Sequence, residues 1–294
     1  MRALAAAVLL GLAVLAAGAA RAAEISGFRF HIVTGDDSGV TRSIADEMYK
    51  RLNPIAASYR TELAQRRHLV YVAIGPAALR EVVARKDESV IISVFTSRQV
   101  WQAVLEAAPP ARAAAMTAIY AEPAPADQLR LIELLYRRPV RVAAIVSPDS
   151  GDLAAQLGPE VIREPMVRGD DINRALNRIA GANVLLASPD RTVYNAESLR
   201  NILLSTYRHK QGVVGFSADM VGAGALATTY SSIEDVSDQV AEVVGGLVAT
   251  GSLPPPQYPR YFSTIINEGV ARSLDIEVTD AARHFARHAK GRKP

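Results

Sequence analysis

FRFHIVTGDDSGVTRSIADEM, residues 28–48, begins as an apolar, partly β-branched run and ends as an amphipathic helical pattern. Between the two lies Thr34-Gly35-Asp36-Asp37-Ser38-Gly39: two carboxylates, two hydroxyls and two glycines. Strand, small polar turn and helix make the repeating unit of an α/β sheet. Serine and aspartate at such a turn cap the helix that follows. Helix starts also present free N–H groups to anions. The turn therefore reads as a cap, as one wall of a binding site, or as both.

The same unit recurs along the chain. Strands are expected at Phe28–Thr34, Val70–Ile74, Val90–Phe95, Met116–Tyr120, Val140–Val146, Val184–Ala187 and Val213–Phe216. Helices are expected at Val40–Leu52, Ala77–Arg85, Arg98–Ala107, Ala126–Arg137, Leu153–Leu157, Ile172–Ala180, Ala196–Lys210 and Val236–Thr250. The alternation predicts an α/β fold with parallel sheets covered on both faces. Nearly every strand delivers small polar groups at its carboxyl end, where open α/β sheets place ligands: Gly75-Pro76, Thr96-Ser97, Glu122-Pro123, Ser147 to Ser150, Asp190 to Thr192, and Ser217. Ala121 to Pro125 and Ala225 to Tyr230 read as crossings between lobes. Pro254 to Pro259 reads as a rigid extended connector.

The first residues have a different character. Arg2 precedes an apolar run from Ala3 to Ala17, and Ala20-Arg21-Ala22 fits a small-residue cleavage site. This pattern predicts a secretory signal peptide over residues 1–22, the run being short for a membrane span. The chain has 294 residues, no cysteine and a formal charge of +3, which becomes +1 when Arg2 and Arg21 leave with the leader. No cysteine means no disulfide, no thiolate metal site, no cysteine nucleophile and no lipid-modified N-terminal cysteine. An exported, soluble, cysteine-free chain is expected in the periplasm. Much of the remaining positive charge lies from Arg283 to Lys293, a stretch expected to be a solvated tail. Without a basic stripe carrying aromatics, nucleic acid is not an expected partner. About 270 mature residues exceed a usual single core, so two lobes are expected.

Two segments carry a resemblance. AEPAPADQLRLIELLYRRPVRVAAIVSPDS, Ala121 to Ser150, resembles the segment by which type I periplasmic binding proteins enter their second lobe. From Ala182 to Gly251 the chain is similar to the substrate-binding components of an ABC-transporter family whose better-known relatives bind tryptophan and other aromatic amino acids. The matching residues are Pro189, Asp190, Thr192, Val193 and Asn195, then Val213 to Ser217, then Val221 to Leu226. A late motif matches at Ile266-Asn267-Glu268, Ala271 and Ser273 to Ile276. Gly212 stands where the family often has proline, and Asp275 where it usually has glycine. The first lobe matches in layout only.

The resemblance implies two Rossmann-like α/β lobes with parallel sheets, joined by hinge strands. Residues 24–121 plus about 229–257 would form one lobe, and 122–228 plus about 258–276 the other, with a basic tail over 277–294. It implies a monomeric protein that closes on a small ligand and presents it to an ABC permease, with no cofactor. For an amino acid, Ser38, Thr96, Ser97 and Ser150 are candidate donors to the carboxylate. Asp36, Asp37, Glu122 and Asp190 are candidate acceptors for the ammonium, and Tyr194 and Tyr120 candidate walls. Thr34, Gly75, Ser147, Thr192, Asn195 and Ser217 complete the strand-end set. For each the alternative is structural: helix capping, an Asx-turn for Asp190, strand-end packing for Tyr120. Trp101, the lone tryptophan, reads as helix packing.

No catalytic set assembles. Gly215-Phe216-Ser217-Ala218-Asp219 lacks the second glycine of a nucleophile elbow, and Gly222-Ala223-Gly224 lacks the third glycine of a dinucleotide fingerprint. His284 and His288, four apart, lack a third metal ligand. The leading expectation is a solute-binding component of a transport system. A sensing or docking protein of the same fold is the alternative, and a serine hydrolase using Ser217 a distant one.

Overall fold

The computed structural model describes residues 28–58, 68–150 and 153–289. The expected leader at residues 1–22 lies outside the described residues. The first sheet holds β1 (Phe28–Thr34), β2 (His68–Ile74), β3 (Ser89–Thr96) and β4 (Met116–Tyr120), parallel and adjacent in chain order. The connecting helices are α1 (Gly39–Ser58), α2 (Gly75–Ala84), α3 (Arg98–Ala107) and α4 (Pro110–Ala113). The chain then enters a second lobe through α5 (Pro125–Tyr136), β5 (Val142–Val146), a 3₁₀ turn at Pro148–Ser150, α6 (Leu153–Gln156), β6 (Ile162–Pro165) and α7 (Ile172–Arg178). There follow β7 (Val184–Leu186), α8 (Ala196–Arg208), β8 (Gly212–Val214), α9 (Ala218–Ala223) and β9 (Ala227–Tyr230). Helix α10 (Ile233–Thr250) returns to the first lobe, and β10 (Ser263–Ile266), α11 (Glu268–Ser273) and α12 (Asp280–Arg283) belong to the second.

The period-two pattern of the strands explains the layering. On one face of the first sheet Phe30, Ile32, Val70, Val72, Ile92, Val94 and Ile119 pack with Met48 and Leu52 of α1 and Val240, Val244 and Leu247 of α10. Their neighbours Val33, Tyr71, Ala73, Ile91 and Ala118 point to the other face, against Leu79 and Trp101 of α2 and α3. Trp101 is thus a core residue. The second sheet runs β10-β9-β8-β7-β5-β6, with β10 antiparallel to β9 and the other pairs parallel. Its two faces separate in the same way, Ile145 and Leu185 toward α7 and α8, Ala144 and Leu186 toward α5 and α6.

Several elements depart from the sequence expectations. Helix α1 does not stop before Pro54 but runs through it to Ser58. Strand β6, IREP, has no apolar signature because it is the sheet's exposed edge, where charge and proline are tolerated. Helix α10 starts at Ile233, three residues before the expected Val236, with Ser232 and Asp235 forming a reciprocal capping box. The stretch expected to be a solvated tail is docked over its described part. Ala282 is buried, Phe285 packs on Phe262, and Phe262 and Arg287 pair as an antiparallel bridge. His284 and His288 lie on this segment, and no metal-ligand cluster occurs among the described residues.

The two positions that depart from the resembled pattern have local causes. A Cβ at Gly212 would come within 2.5 Å of Tyr136 Oη and 2.8 Å of Leu226 Cδ2, so both side chains would have to shift, and the Gly212 N–H donates to Asn183 O at 3.0 Å, a bond proline cannot make. Asp275 closes α11 in the left-handed region, with φ 57°, while the Ile276 N–H donates to Ala271 O at 2.9 Å. Glycine adopts that backbone without the Cβ penalty. Asp275→Gly is therefore expected to stabilise the protein by up to about 1 kcal/mol, and a shift of the urea midpoint to lower concentration would contradict this.

Candidate functional site

Strand order in the second sheet reverses at the β5–β7 pair: the chain leaves β5 for β6 on one side and returns to β7 on the other. The carboxyl ends of β5 and β7 flank a crevice at that switch point. Asp190 fixes its floor. The Thr192 N–H donates to Asp190 Oδ1 at 2.9 Å, which is the Asx-turn read from the sequence. The Ser147 N–H and the Ser150 hydroxyl both donate to Oδ2, at 3.2 and 2.5 Å. Thr192 Oγ1 in turn donates to Asp149 Oδ2 at 3.1 Å. One buried carboxylate thus ties the β5 loop to the β7 loop. Asp190→Ala would leave the Thr192 N–H and the Ser150 hydroxyl without this acceptor, a loss of about 1–3 kcal/mol for each that stays dry, while the Ser147 N–H keeps Ser150 Oγ at 3.0 Å. Equal unfolding midpoints for Asp190→Ala and the parent chain would refute this role.

Above that floor lies a cleft of about 610 Å³, part of it open to solvent. Its lining comes from the second lobe (Gln128, Ala144, Ser150, Leu153, Leu157, Leu186, Asp190 and Phe216), from the start of α3 (Arg98, Gln99), and from two crossings (Glu122, Pro123, Tyr258). The cleft therefore sits where the lobes join. Two devices place the first-lobe residues. A register shift between Val94 and Thr96 leaves Phe95 at φ 54° and redirects the chain into Thr96-Ser97-Arg98. Ser97 then caps α3, accepting the Val100 N–H at 3.4 Å. The expected connector at residues 254–259 is extended and pairs beside β4: the Tyr120 N–H donates to Gln257 O, and the Gln257 N–H to Ala118 O, both at 2.9 Å. This delivers Tyr258 to the cleft, ring edge against Tyr120 at 5.1 Å.

Glu122 is buried at the first crossing. Its Oε1 accepts the Arg98 N–H at 2.8 Å, at the first turn of α3, and its Oε2 has no partner. Burial raises its carboxyl to about 7, outweighing the stabilisation from the Arg98 N–H, from its own backbone N–H and from the Arg98 charge. The Arg98 guanidinium, also buried, meets the side chain of Gln156 from α6. With the amide oxygen toward the cation, Gln156 accepts from Arg98 Nε and Nη2 at 3.2 and 3.0 Å, and its NH₂ donates to Tyr258 Oη at 2.7 Å. Gln156 thus bridges the second lobe to the first. Burial pushes the phenols of Tyr120 and Tyr258 above their ordinary range, so both are neutral at physiological pH. Gln156→Ala should loosen the lobes and raise the radius of gyration seen by small-angle scattering; an unchanged scattering profile would show that the bridge carries no closing force.

Of the residues singled out by sequence, Glu122, Ser150 and Asp190 line the cleft together. Ser147 and Thr192 lie behind them in the Asp190 network, and Thr96 is buried with its O accepting the Ala121 N–H at 3.0 Å. Tyr194 is buried behind the lining, its ring edge toward Phe216 at 5.9 Å and its hydroxyl without a partner. Asn195 and Ser217 cap α8 and α9. The opening turn does not line the cleft. Asp36 Oδ1 accepts the Ser38 N–H and the Thr41 hydroxyl at 2.9 and 2.7 Å, Ser38 Oγ accepts the Thr41 N–H at 3.2 Å, and Asp37 pairs with Arg42 at 3.2 Å, all exposed. These accepted bonds hold the Asp36 carboxyl below its ordinary range. Thr34 and Gly75 sit beside that turn, at the end of β1 and the start of α2, also outside the lining. Sequence reasoning missed Arg98, Gln128, Gln156 and Tyr258. The first three sit in helices and read as helix surface, and Tyr258 reads as a connector.

The chain resembles several solved structures. One is a substrate-binding protein with adhesive properties from Clostridium difficile in its ligand-free, open form, at 13% identity and TM-score 0.59, with 86% of this chain and 96% of that one aligned. Another is an ABC domain from Streptococcus pneumonia in complex with L-Trp, at 12% identity and TM-score 0.52, with 87% and 97% aligned. A third is a conserved domain protein from Vibrio cholerae, at 16% identity and TM-score 0.51, with 89% and 99% aligned. The fold is that of the type I periplasmic binding proteins. The α/β, two-lobed reading of the sequence therefore holds. No family model and no curated protein matches the chain, and among the described residues no helix is long and apolar enough to cross a membrane.

Proposed function

We propose that this protein is a periplasmic solute receptor, the binding component of an ABC-type transport system, and that its cleft takes an amphipathic zwitterion of the amino-acid class. The observation that carries this reading is a pair of buried ionisable side chains, the Arg98 cation and the Glu122 acid, among the apolar side chains that line the cleft where two lobes meet. The guanidinium offers a planar donor pair to a carboxylate, which would displace the Gln156 oxygen. The free Glu122 oxygen offers an acceptor to an ammonium. Leu153, Leu157, Leu186, Phe216 and Tyr258 offer apolar and aromatic surface to the solute's side chain. Ser217, the serine a hydrolase would need, is used as the cap of α9, where it accepts the Met220 N–H at 3.4 Å. Solute, permease, monomeric state and periplasmic location together form one proposal.

A thermal-shift screen of the mature protein, stripped of bound solute, tests it with amino acids, aromatic acids, nucleosides and sugars. A solute at a hundred times its Kd stabilises by about 2.7 kcal/mol. Amino acids should shift the transition saturably, and Arg98→Ala should weaken the best of them at least tenfold, about 1.4 kcal/mol. A flat response across the library would sink the receptor reading and favour the docking role for this fold.

A further inference from the structure

Two carboxylates are buried in the cleft wall, and they are used differently. Asp190 accepts from three donors of its own lobe. Glu122, whose residue lines the cleft, has one oxygen taken by the Arg98 N–H and one, buried, that accepts nothing. Its position is rigid. Tyr120 before it is tied to Gln257, Ala121 donates its N–H to Thr96 O, and Pro123 follows. The titratable and charged groups facing it are the Arg98 guanidinium from α3, the Tyr120 phenol from β4 and the Tyr258 phenol from the third crossing. Both phenols stay neutral at physiological pH, and Arg98 is engaged with the Gln156 amide. A buried carboxylate with an unfilled acceptor is costly, so below about pH 7 the group holds a proton until a donor arrives.

We propose that Glu122 Oε2 receives the ammonium of the solute and that filling the cleft expels the proton Glu122 carries when the cleft is empty, so that solute loading is linked to proton release. The proposal rests on the solute-receptor reading and adds a direction to it. The positive donor favours the ionised carboxylate, so binding and deprotonation support each other. Because the free group titrates near 7, affinity for a zwitterion rises toward tenfold per pH unit between about pH 5 and 7 and levels off above. A solute with no cationic donor shows the opposite preference or none.

Glutamate carboxyls labelled with ¹³C in the full mature protein read this directly. The Glu122 resonance is assigned by its loss in Glu122→Gln, a near-isostere of the protonated acid. The Arg98 backbone N–H, which donates to Oε1, reports the same titration in the unaltered chain should that variant not fold. Three probes share one carbon skeleton: L-leucine, isopentylamine with the amine alone, and isovalerate with the carboxylate alone. Without probe the midpoint should lie near 7. L-leucine and isopentylamine should lower it by at least one pH unit, and isovalerate should not. An ordinary midpoint near 4.5 in the empty protein overturns the proposal. So does a midpoint that neither amine moves. If the midpoint stays fixed while amino acids shift the thermal transition, only the proton linkage fails. If the library gives no shift either, the receptor reading fails with it.

Discussion

A parallel sheet must be covered on both faces, and that requirement shapes the molecule. The helices between the first four strands leave room beside α1, and α10 fills it, although the chain has already built most of the second sheet by then. Returning α10 to the first lobe forces a second crossing. Completing the second sheet with β10 forces a third. Three strands of chain at one junction bring Glu122, Tyr258 and the start of α3 beside the switch point of the second sheet. The cleft is thus a by-product of covering two sheets with one chain.

Within the cleft, hydrogen-bond supply separates structure from reception. Asp190 and Glu122 are both buried acids on loops after strands. Asp190 is surrounded by N–H and O–H donors from its own sheet and acts as a rivet between two loops. Glu122 faces aromatic rings and proline, receives the Arg98 N–H on one oxygen, and keeps the other in reserve. Desolvation wins over local pairing at Glu122, which is why its carboxyl is raised. The Gln156 bridge follows the same logic. A buried guanidinium needs an acceptor when no solute supplies one, and a neutral amide meets that need while remaining displaceable.

The carboxyl-end loops were legible as polar turns, but their division of labour was not. Ser38, Asp36 and Asp37 have the composition of a ligand loop and form an exposed cap instead. Asn195 and Ser217 stand in the stretch that carries the sequence resemblance and are likewise caps. A hydroxyl that accepts one N–H within its own turn leaves the same sequence trace as one that awaits a ligand. Arg98 and Gln156 gave no trace at all, because a polar residue in an amphipathic helix reads as solvent-facing.

The sequence by itself determined the α/β alternation, nearly all the central strands and the Asx-turn at Asp190, because these follow from period-two burial and contacts a few residues apart. Edge strand β6, the docked terminal segment, the strand-like pairing of Gln257 and the partners of Glu122 were decided only by the tertiary structure. Each depends on groups brought together across many residues: Glu122 with Arg98, Tyr258 with Gln156, Thr264 with Phe285. Whether a polar atom ends up satisfied is a property of that assembled environment, not of the residue that carries it.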